Sequence, residues 1–196
     1  MTSRAFAAMF QARLYVSRRL VLYACSVAVL VALVQPAGVT APLFCCSLLA
    51  VAIALDQTPG RHPHLDRCEQ SAPLFGRELA RAKAAVPCAA GLLATIVYAG
   101  VQIARGSPDA AATLLAVSPA VIACSLVALS ATVRLGWTRA LYVVLACLTS
   151  VVAYSLGVAE RLILLEVAFC AIVAFAALRQ YGETLARWDP LWAPRP

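Results

Sequence analysis

Residues 66–86 read DRCEQSAPLFGRELARAKAAV and form a charged segment in an otherwise apolar chain of 196 residues. Charged side chains are excluded from the hydrocarbon of a bilayer, so such a segment lies in water or against a partner protein. Long apolar runs precede and follow it. We therefore interpret residues 66–86 as a polar connection between two membrane-spanning helices, and we expect it to contact another subunit.

The composition of the whole chain is typical of an integral membrane protein. Hydrophobic residues make up 63% of the sequence and charged residues only 13%, with a mean hydropathy of +0.85. A soluble domain of this length needs far fewer apolar residues. The chain is long enough for one bundle of helices and leaves too little polar sequence for a second domain. We predict a single transmembrane domain over residues 1–196.

Six apolar runs follow one another along the chain. Each is close to the ~20 residues that an α-helix needs to cross about 30 Å of hydrocarbon. Most breaks between the runs contain Gly or Pro, as turns do. We therefore predict an all-α, polytopic membrane bundle of about six transmembrane helices. The runs cover residues 20–35, 38–55, 84–104, 110–133, 139–158 and 161–178.

The first 19 residues contain four arginines and no acidic residue. Phe6, Met9 and Phe10 share one side of a helical wheel, which is typical of a helix lying in the membrane interface. Arg13 falls on the same apolar side, where its long side chain would have to extend to the headgroups. A cleaved signal peptide is the alternative, but no clear small-residue cleavage site follows the apolar run. We predict an uncleaved interfacial helix over residues 1–19.

The distribution of positive charge predicts the topology. An even number of spans places both termini on one side. If that side is the cytoplasm, cytoplasmic segments hold fourteen of the sixteen Lys and Arg, and only Arg105 and Arg161 lie outside. The positive-inside rule favours this orientation. Contact with anionic lipid headgroups then explains the net charge of +7, and no nucleic-acid partner is expected.

The chain contains fifteen Arg and one Lys, a bias that indicates a GC-rich bacterial genome. We therefore predict a multi-pass protein of the bacterial cytoplasmic (inner) membrane. Residues 179–196 are predicted to form a cytoplasmic tail. Its Trp and Tyr residues favour anchoring at the headgroup layer.

The cytoplasmic loop over residues 56–83 is predicted to have two parts. Residues 56–67 contain several Pro and Gly and are expected to be irregular. Ser71 can cap a helix, and apolar residues recur after it at helical spacing, with Arg77 and Arg81 on another face. We predict a short amphipathic helix that enters the third span. The alternative is a membrane-surface helix that only connects two spans and has no coupling role.

This loop resembles the one between the second and third spans of type-2 export permeases of the ATP-binding cassette family. The residues that carry the resemblance are Glu69, Pro73, Leu74, Arg77, Glu78 and Lys83. The resemblance implies a membrane-spanning permease subunit of an ATP-driven exporter, coupled through residues 66–86 to a separate ATPase subunit. It also implies a second permease copy or a related chain. The predicted partner-coupling residues are Glu69, Pro73, Arg77, Glu78, Arg81 and Lys83.

The sequence offers no catalytic machinery of its own. It lacks a GxxxxGK[ST] phosphate-binding loop, so ATP hydrolysis would take place on the partner. A membrane enzyme would need clustered acids or a nucleophile beside a base, and the sequence suggests neither. We predict no enzyme activity and no cofactor. The remaining alternative is a small structural or assembly subunit of a larger membrane complex, which would not need the loop pattern.

Glu166 is an acidic residue inside the sixth apolar run. An unpaired carboxylate at that depth costs roughly a few kcal/mol, so we expect it to face the bundle interior, a water-lined cavity or a partner. There it is a candidate residue of the translocation path. The open alternative is that it reaches the outer interface or is simply protonated.

Cysteine and histidine offer only a weak metal signal. Seven of the eight cysteines lie in or beside apolar runs, where Cys packs as a small hydrophobe. Cys68, with His62 and His64, has a spacing that can ligate a soft metal, but no second ligand pair follows. We predict no metal site.

Overall fold

The computed structural model describes residues 3–34, 40–59, 61–71, 76–134, 136–159 and 162–186. Within these ranges the chain forms α-helices and one π-helical turn, and no strand. Pro73, Arg161 and the predicted tail beyond residue 186 lie outside the described residues. The α-helices are α1 (Ser3–Val34), α2 (Thr40–Asp56), α3 (Pro63–Ser71), α4 (Gly76–Ala104), α5 (Pro108–Ala116), α6 (Pro119–Ala131), α7 (Trp137–Tyr154) and α8 (Ile163–Ala186).

Four helical segments are long and apolar enough to cross a membrane: Phe6–Val34, Leu79–Ala104, Trp137–Gly157 and Ile163–Leu185. The pair α5 and α6 forms a fifth candidate, bent by 42°. Helix α2 is apolar but has only 17 residues. The prediction of an all-α bundle is thus confirmed, and the described residues contain four to five helices of membrane length.

The predicted interfacial helix over residues 1–19 is not a separate element. Helix α1 continues from Ser3 to Val34 without a break. The stretch contains neither Gly nor Pro, so nothing in the backbone interrupts the ladder of hydrogen bonds. The first membrane-length helix therefore includes the basic residues that precede the apolar run.

The prediction of an irregular segment over residues 56–67 is wrong in its second half, because α3 begins at Pro63. Proline is tolerated in the first turn, where its missing N–H is not needed. The negative charge of Asp66, also in the first turn, interacts favourably with the positive end of the helix dipole. Ser71 is the last residue of α3 rather than an N-cap. The predicted second helix begins at Gly76, as α4, and continues into the membrane-length segment.

The fourth apolar run is broken at Val117 and Ser118, between α5 and α6. Pro119 follows the break, and proline cannot donate the backbone hydrogen bond that would continue a helix. Helix α7 ends in the π-helical turn Ser155–Ala159, after which the Leu162 N–H donates to the Leu156 carbonyl at 2.8 Å. The two irregular backbone segments are neighbours, because a Cβ on Gly157 would lie 2.8 Å from Val117 Cγ1.

Small residues let the central helices approach closely. Gly91 of α4 has no room for a side chain, since a Cβ there would lie 2.7 Å from Val121 Cγ1 and 3.0 Å from Ala50 Cβ. Close packing around Gly and Ala is typical of helices that associate in membranes.

Cys46, Cys124 and Cys170 are buried as predicted, whereas Cys147 is exposed. The side chains of the seven described cysteines are free thiols.

Candidate coupling site at the basic end of the bundle

We use the term basic end for the end of the bundle where α1, α4 and α7 begin and where α2, α6 and α8 end. Helix α3 lies between α2 and α4 in the chain and contacts α1 at this end. Contacts between distant segments hold this end together, including Ser17 with Asp56 and Arg139 with Thr58. The candidate site lies here, where α3 meets α1 and α4.

Arg13 of α1 points into the protein and is only 1% exposed. Its Nε donates to Glu69 Oε1 at 2.5 Å, and its Nη2 donates to Asp66 Oδ1 at 2.7 Å. The two acids are three residues apart on α3 and so share one face of that helix. The prediction that Arg13 extends to the headgroups is therefore wrong: two acids of α3 satisfy its charge inside the protein.

Lys83 of α4 completes the arrangement. Its Nζ lies 2.9 Å from Glu69 Oε2 and 3.7 Å from Asp66 Oδ1. Glu69 thus contacts one cation through each carboxylate oxygen. We call Arg13, Asp66, Glu69 and Lys83 the ion cluster; with two positive and two negative side chains it is formally neutral. Neutrality matters because taking charges out of water is favourable only when they are well paired.

A second polar group lies one helical turn further along α1. The Ser17 hydroxyl donates to Asp56 Oδ2 at 3.0 Å and accepts from Gln57 Nε2 at 3.0 Å. His62 Nε2 lies 3.2 Å from the same Asp56 oxygen. Arg13 and Ser17 share a face of α1, so this face is joined both to α3 and to the end of α2.

The structure buries two of the predicted coupling residues and exposes a third. Glu69 and Lys83 are buried in the ion cluster, with 5% and 3% of their surface exposed. Their side chains therefore contact other residues of this chain and do not form part of a surface for a partner. Arg81 is exposed on α4 and lines a cleft against α8. Arg77 and Glu78 lie in the first turn of α4.

Sequence reasoning missed Asp66 and the role of Arg13. Two signals were present: an arginine on the apolar side of an amphipathic helix, and two acids three residues apart in a short segment rich in charge. Neither signal identifies its partner, because Arg13 and Glu69 are 56 residues apart in the chain.

Glu166 lies away from the basic end, in the first turn of α8, and is fully buried. Its Oε1 lies 3.2 Å from Cys170 Sγ, and its Oε2 has no hydrogen-bond partner among the described residues. A Cβ on Gly157 of the π-helical turn would lie 3.2 Å from Glu166 Cγ and 2.8 Å from Val117 Cγ1. Glu166 therefore sits where the break between α5 and α6, the π-helical turn and the start of α8 meet. This burial agrees with the expectation that it faces the bundle interior.

The two histidines have different neighbours. His62 faces Asp56, whereas His64 Nδ1 lies 3.5 Å from Arg67 Nη2. No group of three or more His, Cys, Asp or Glu side chains converges on a common point in the part of the chain that the structure describes.

The fold and the site together define a class of protein. It is an all-α chain with four to five apolar helices of membrane length, joined at the basic end by buried ion pairs. Comparison with protein-family models, with curated proteins and with solved structures finds no match to this chain.

Proposed function

We propose that this chain is the membrane-spanning permease subunit of an ATP-driven exporter, with ATP hydrolysis on a separate subunit of the ATP-binding cassette type. The observation that supports the proposal is the attachment of α3 to two membrane-length helices through the ion cluster. Glu69 contacts Arg13 of α1 at 2.5 Å and Lys83 of α4 at 2.9 Å. A coupling element needs such attachment, because it must transmit motion from a partner to the membrane helices.

The energetics of the ion cluster suit this role. If α3 moved away from α1 or α4, it would leave a buried charge without its partner, which costs about 3–5 kcal/mol. Helix α3 and the basic ends of α1 and α4 therefore move together. Closure of an ATPase against α3 would bias the bundle between an inward-facing and an outward-facing state.

The partner surface that we propose lies on the outer side of α3 and on the first turn of α4. Arg67 is exposed on α3, and Arg77 and Glu78 lie at the start of α4. Cationic side chains there would pair with acidic groups of the ATPase and set its register. In this proposal the basic end is cytoplasmic, the protein resides in a bacterial inner membrane, and a second permease chain completes the transporter.

Glu166 has a proposed place in the same transporter. Ionisable residues inside membrane helices commonly mark a substrate or ion pathway. The free carboxylate oxygen of Glu166 and the irregular backbone around it fit such a position. We propose that it lines a translocation path through the interior of this chain, where its side chain is buried.

The test of the proposal is copurification of an ATPase with the tagged full-length chain from native membranes in mild detergent. We expect an ATPase with the wild-type chain and its loss with Arg67→Glu, Arg77→Glu. The control is Arg19→Glu, a charge reversal at an exposed position of α1, which should retain the ATPase. Absence of any ATPase from the wild-type sample would contradict the proposal and favour a structural subunit. Retention of the ATPase by the double variant would overturn the proposed surface.

A further inference from the structure

A cleft of about 320 Å³ lies between the start of α4 and the end of α8, outside the ion cluster. Its walls combine two arginines with apolar and small residues. The lining residues are Ala80, Arg81, Phe175, Leu178, Arg179 and Gly182. The small side chain of Ala80 and the missing one of Gly182 leave the space between the two helices open.

The two arginines differ in the hydrogen bonds and ion pairs that they make within this chain. Arg81 is exposed, and its side chain makes no hydrogen bond or ion pair with another described residue. Arg179 is 70% exposed and donates from Nε to Glu183 Oε1 at 2.9 Å. A guanidinium has five N–H donors, so Arg179 keeps its two terminal amino groups for another acceptor. The positive charge of this cleft is therefore largely available to a ligand.

The order of side chains along α8 follows the layers of a membrane. Phe175, Arg179 and Glu183 are four residues apart, so they lie on one face with about 6 Å between successive positions. Phe175 is 70% exposed, and Arg179 is one turn closer to the basic end. In a membrane with its headgroups at the basic end, the cleft would present an apolar surface to acyl chains and cations to phosphates.

The net charge of the cleft determines which lipid it fits. Among the described residues, two arginines and no acidic residue line the cleft, and the adjacent Glu183 offsets the charge of Arg179 only in part. The excess of positive charge favours a lipid with a net negative charge over a zwitterionic lipid, which is neutral. Basic pockets between membrane helices bind anionic headgroups for this reason.

We propose that the cleft between α4 and α8 binds one anionic phospholipid, with its phosphodiester held by Arg81 and Arg179 and an acyl chain along Phe175 and Leu178. This assignment gives Arg81 a lipid partner in place of a protein partner. It does not depend on the ATPase. Because Arg81 is two residues before Lys83, the bound lipid would brace the helix that carries one cation of the ion cluster.

The test uses the full-length protein in detergent with an equimolar mixture of phosphatidylglycerol and phosphatidylcholine of the same acyl chains. Native mass spectrometry counts the lipids that remain bound. We expect one phosphatidylglycerol to be retained in preference to phosphatidylcholine. Arg81→Gln, Arg179→Gln should weaken this binding about 30-fold, the effect of losing two arginines near a charged lipid surface.

The matched control is Arg18→Gln, Arg19→Gln, which removes two exposed arginines from the same end of the bundle. It should change phosphatidylglycerol binding less than about threefold, which is less than the roughly fivefold effect of one charged contact. An equal loss in the control and in the cleft variant would show diffuse attraction to the basic end and overturn the site. Equal binding of the two lipids by the wild-type protein would also overturn it.

A second variant tests the cleft without changing its charge. Gly182→Leu places a branched side chain where the lining has none, so it should abolish the retained phosphatidylglycerol while circular dichroism shows an unchanged helix content. Retained, selective binding in a folded Gly182→Leu protein would contradict the proposal. Unchanged lipid binding in Arg81→Gln, Arg179→Gln together with loss of a copurifying ATPase would assign Arg81 to a protein partner instead.

Discussion

Glu69→Gln is the most direct test of the ion cluster, because Glu69 contacts both of its cations. One carboxylate oxygen lies 2.5 Å from Arg13 Nε, and the other lies 2.9 Å from Lys83 Nζ. A carboxylate accepts hydrogen bonds at both oxygens, whereas a glutamine amide accepts at one end and donates at the other. In the variant, one cation therefore faces an NH₂ group, and the cluster carries an uncompensated positive charge.

The expected cost follows from this geometry. Arg13, Glu69 and Lys83 are each no more than 5% exposed, so water screens the lost charge poorly. Removing one partner of a buried ion pair costs about 3–5 kcal/mol. The amide keeps one hydrogen bond, worth about 1 kcal/mol. We expect Glu69→Gln to lower the free energy of unfolding by roughly 2–4 kcal/mol.

The assay is reversible unfolding by SDS in mixed micelles, followed by circular dichroism. Glu183→Gln is the matched control, since its ion pair with Arg179 is exposed and such pairs contribute about 0.2–1 kcal/mol. The double variant Glu69→Gln, Lys83→Met removes one anion and one cation and leaves Arg13 paired with Asp66 at 2.7 Å. It should be more stable than Glu69→Gln alone. A Glu69→Gln effect within about 0.5 kcal/mol of the control would refute the argument.

Three further predictions use the same assay. Gly157→Ala should lower the free energy of unfolding by about 1–3 kcal/mol, because the new Cβ would lie 2.8 Å from Val117 Cγ1 at the break between α5 and α6. The control is Gly100→Ala, which has nothing within 4 Å of its Cβ and should be neutral or slightly stabilising. Glu166→Gln should change stability by less than about 1 kcal/mol, because a neutral amide is cheaper to bury than a carboxylate whose only hydrogen bond among the described residues comes from Cys170. A larger loss would show that its negative charge has a further partner. Ser17→Ala should lower the free energy of unfolding by about 1–2 kcal/mol, because it removes a buried hydroxyl that both donates and accepts a hydrogen bond. The control Ser155→Ala lies at an exposed position and should change this free energy little, and equal effects of the two variants would contradict the role of the buried hydroxyl.

The helices could be predicted because their signals are local. Each apolar run is recognisable from its own residues and length, and the six predicted runs correspond to α1, α2, α4, the pair α5 and α6, α7 and α8. The helix boundaries differ more from the prediction, since α1 begins at Ser3 and α4 at Gly76. Helix α3 was missed because it has no apolar period; its buried face consists of acids whose partners lie on other helices.

The candidate site was predicted only in part. Resemblance drew attention to Glu69 and Lys83, but as residues that face a partner subunit. The structure buries both and adds Arg13 and Asp66, which no local pattern connects to them. Arg81 belonged to the same predicted set, yet it turns toward α8, whose contribution to the cleft begins almost a hundred residues later in the chain.

The sequence by itself determined the class of fold and the bias of charge toward one end, because hydrophobicity, helix length and charge are properties of single segments. The tertiary structure decided which charged side chains are buried and paired and which remain exposed. That choice depends on which helices become neighbours, and no residue type records its partner at a separation of 56 positions. Arg13 illustrates both points: its sequence context predicts a cation at a membrane surface, and only the approach of α3 and α4 makes it the centre of a buried ion cluster.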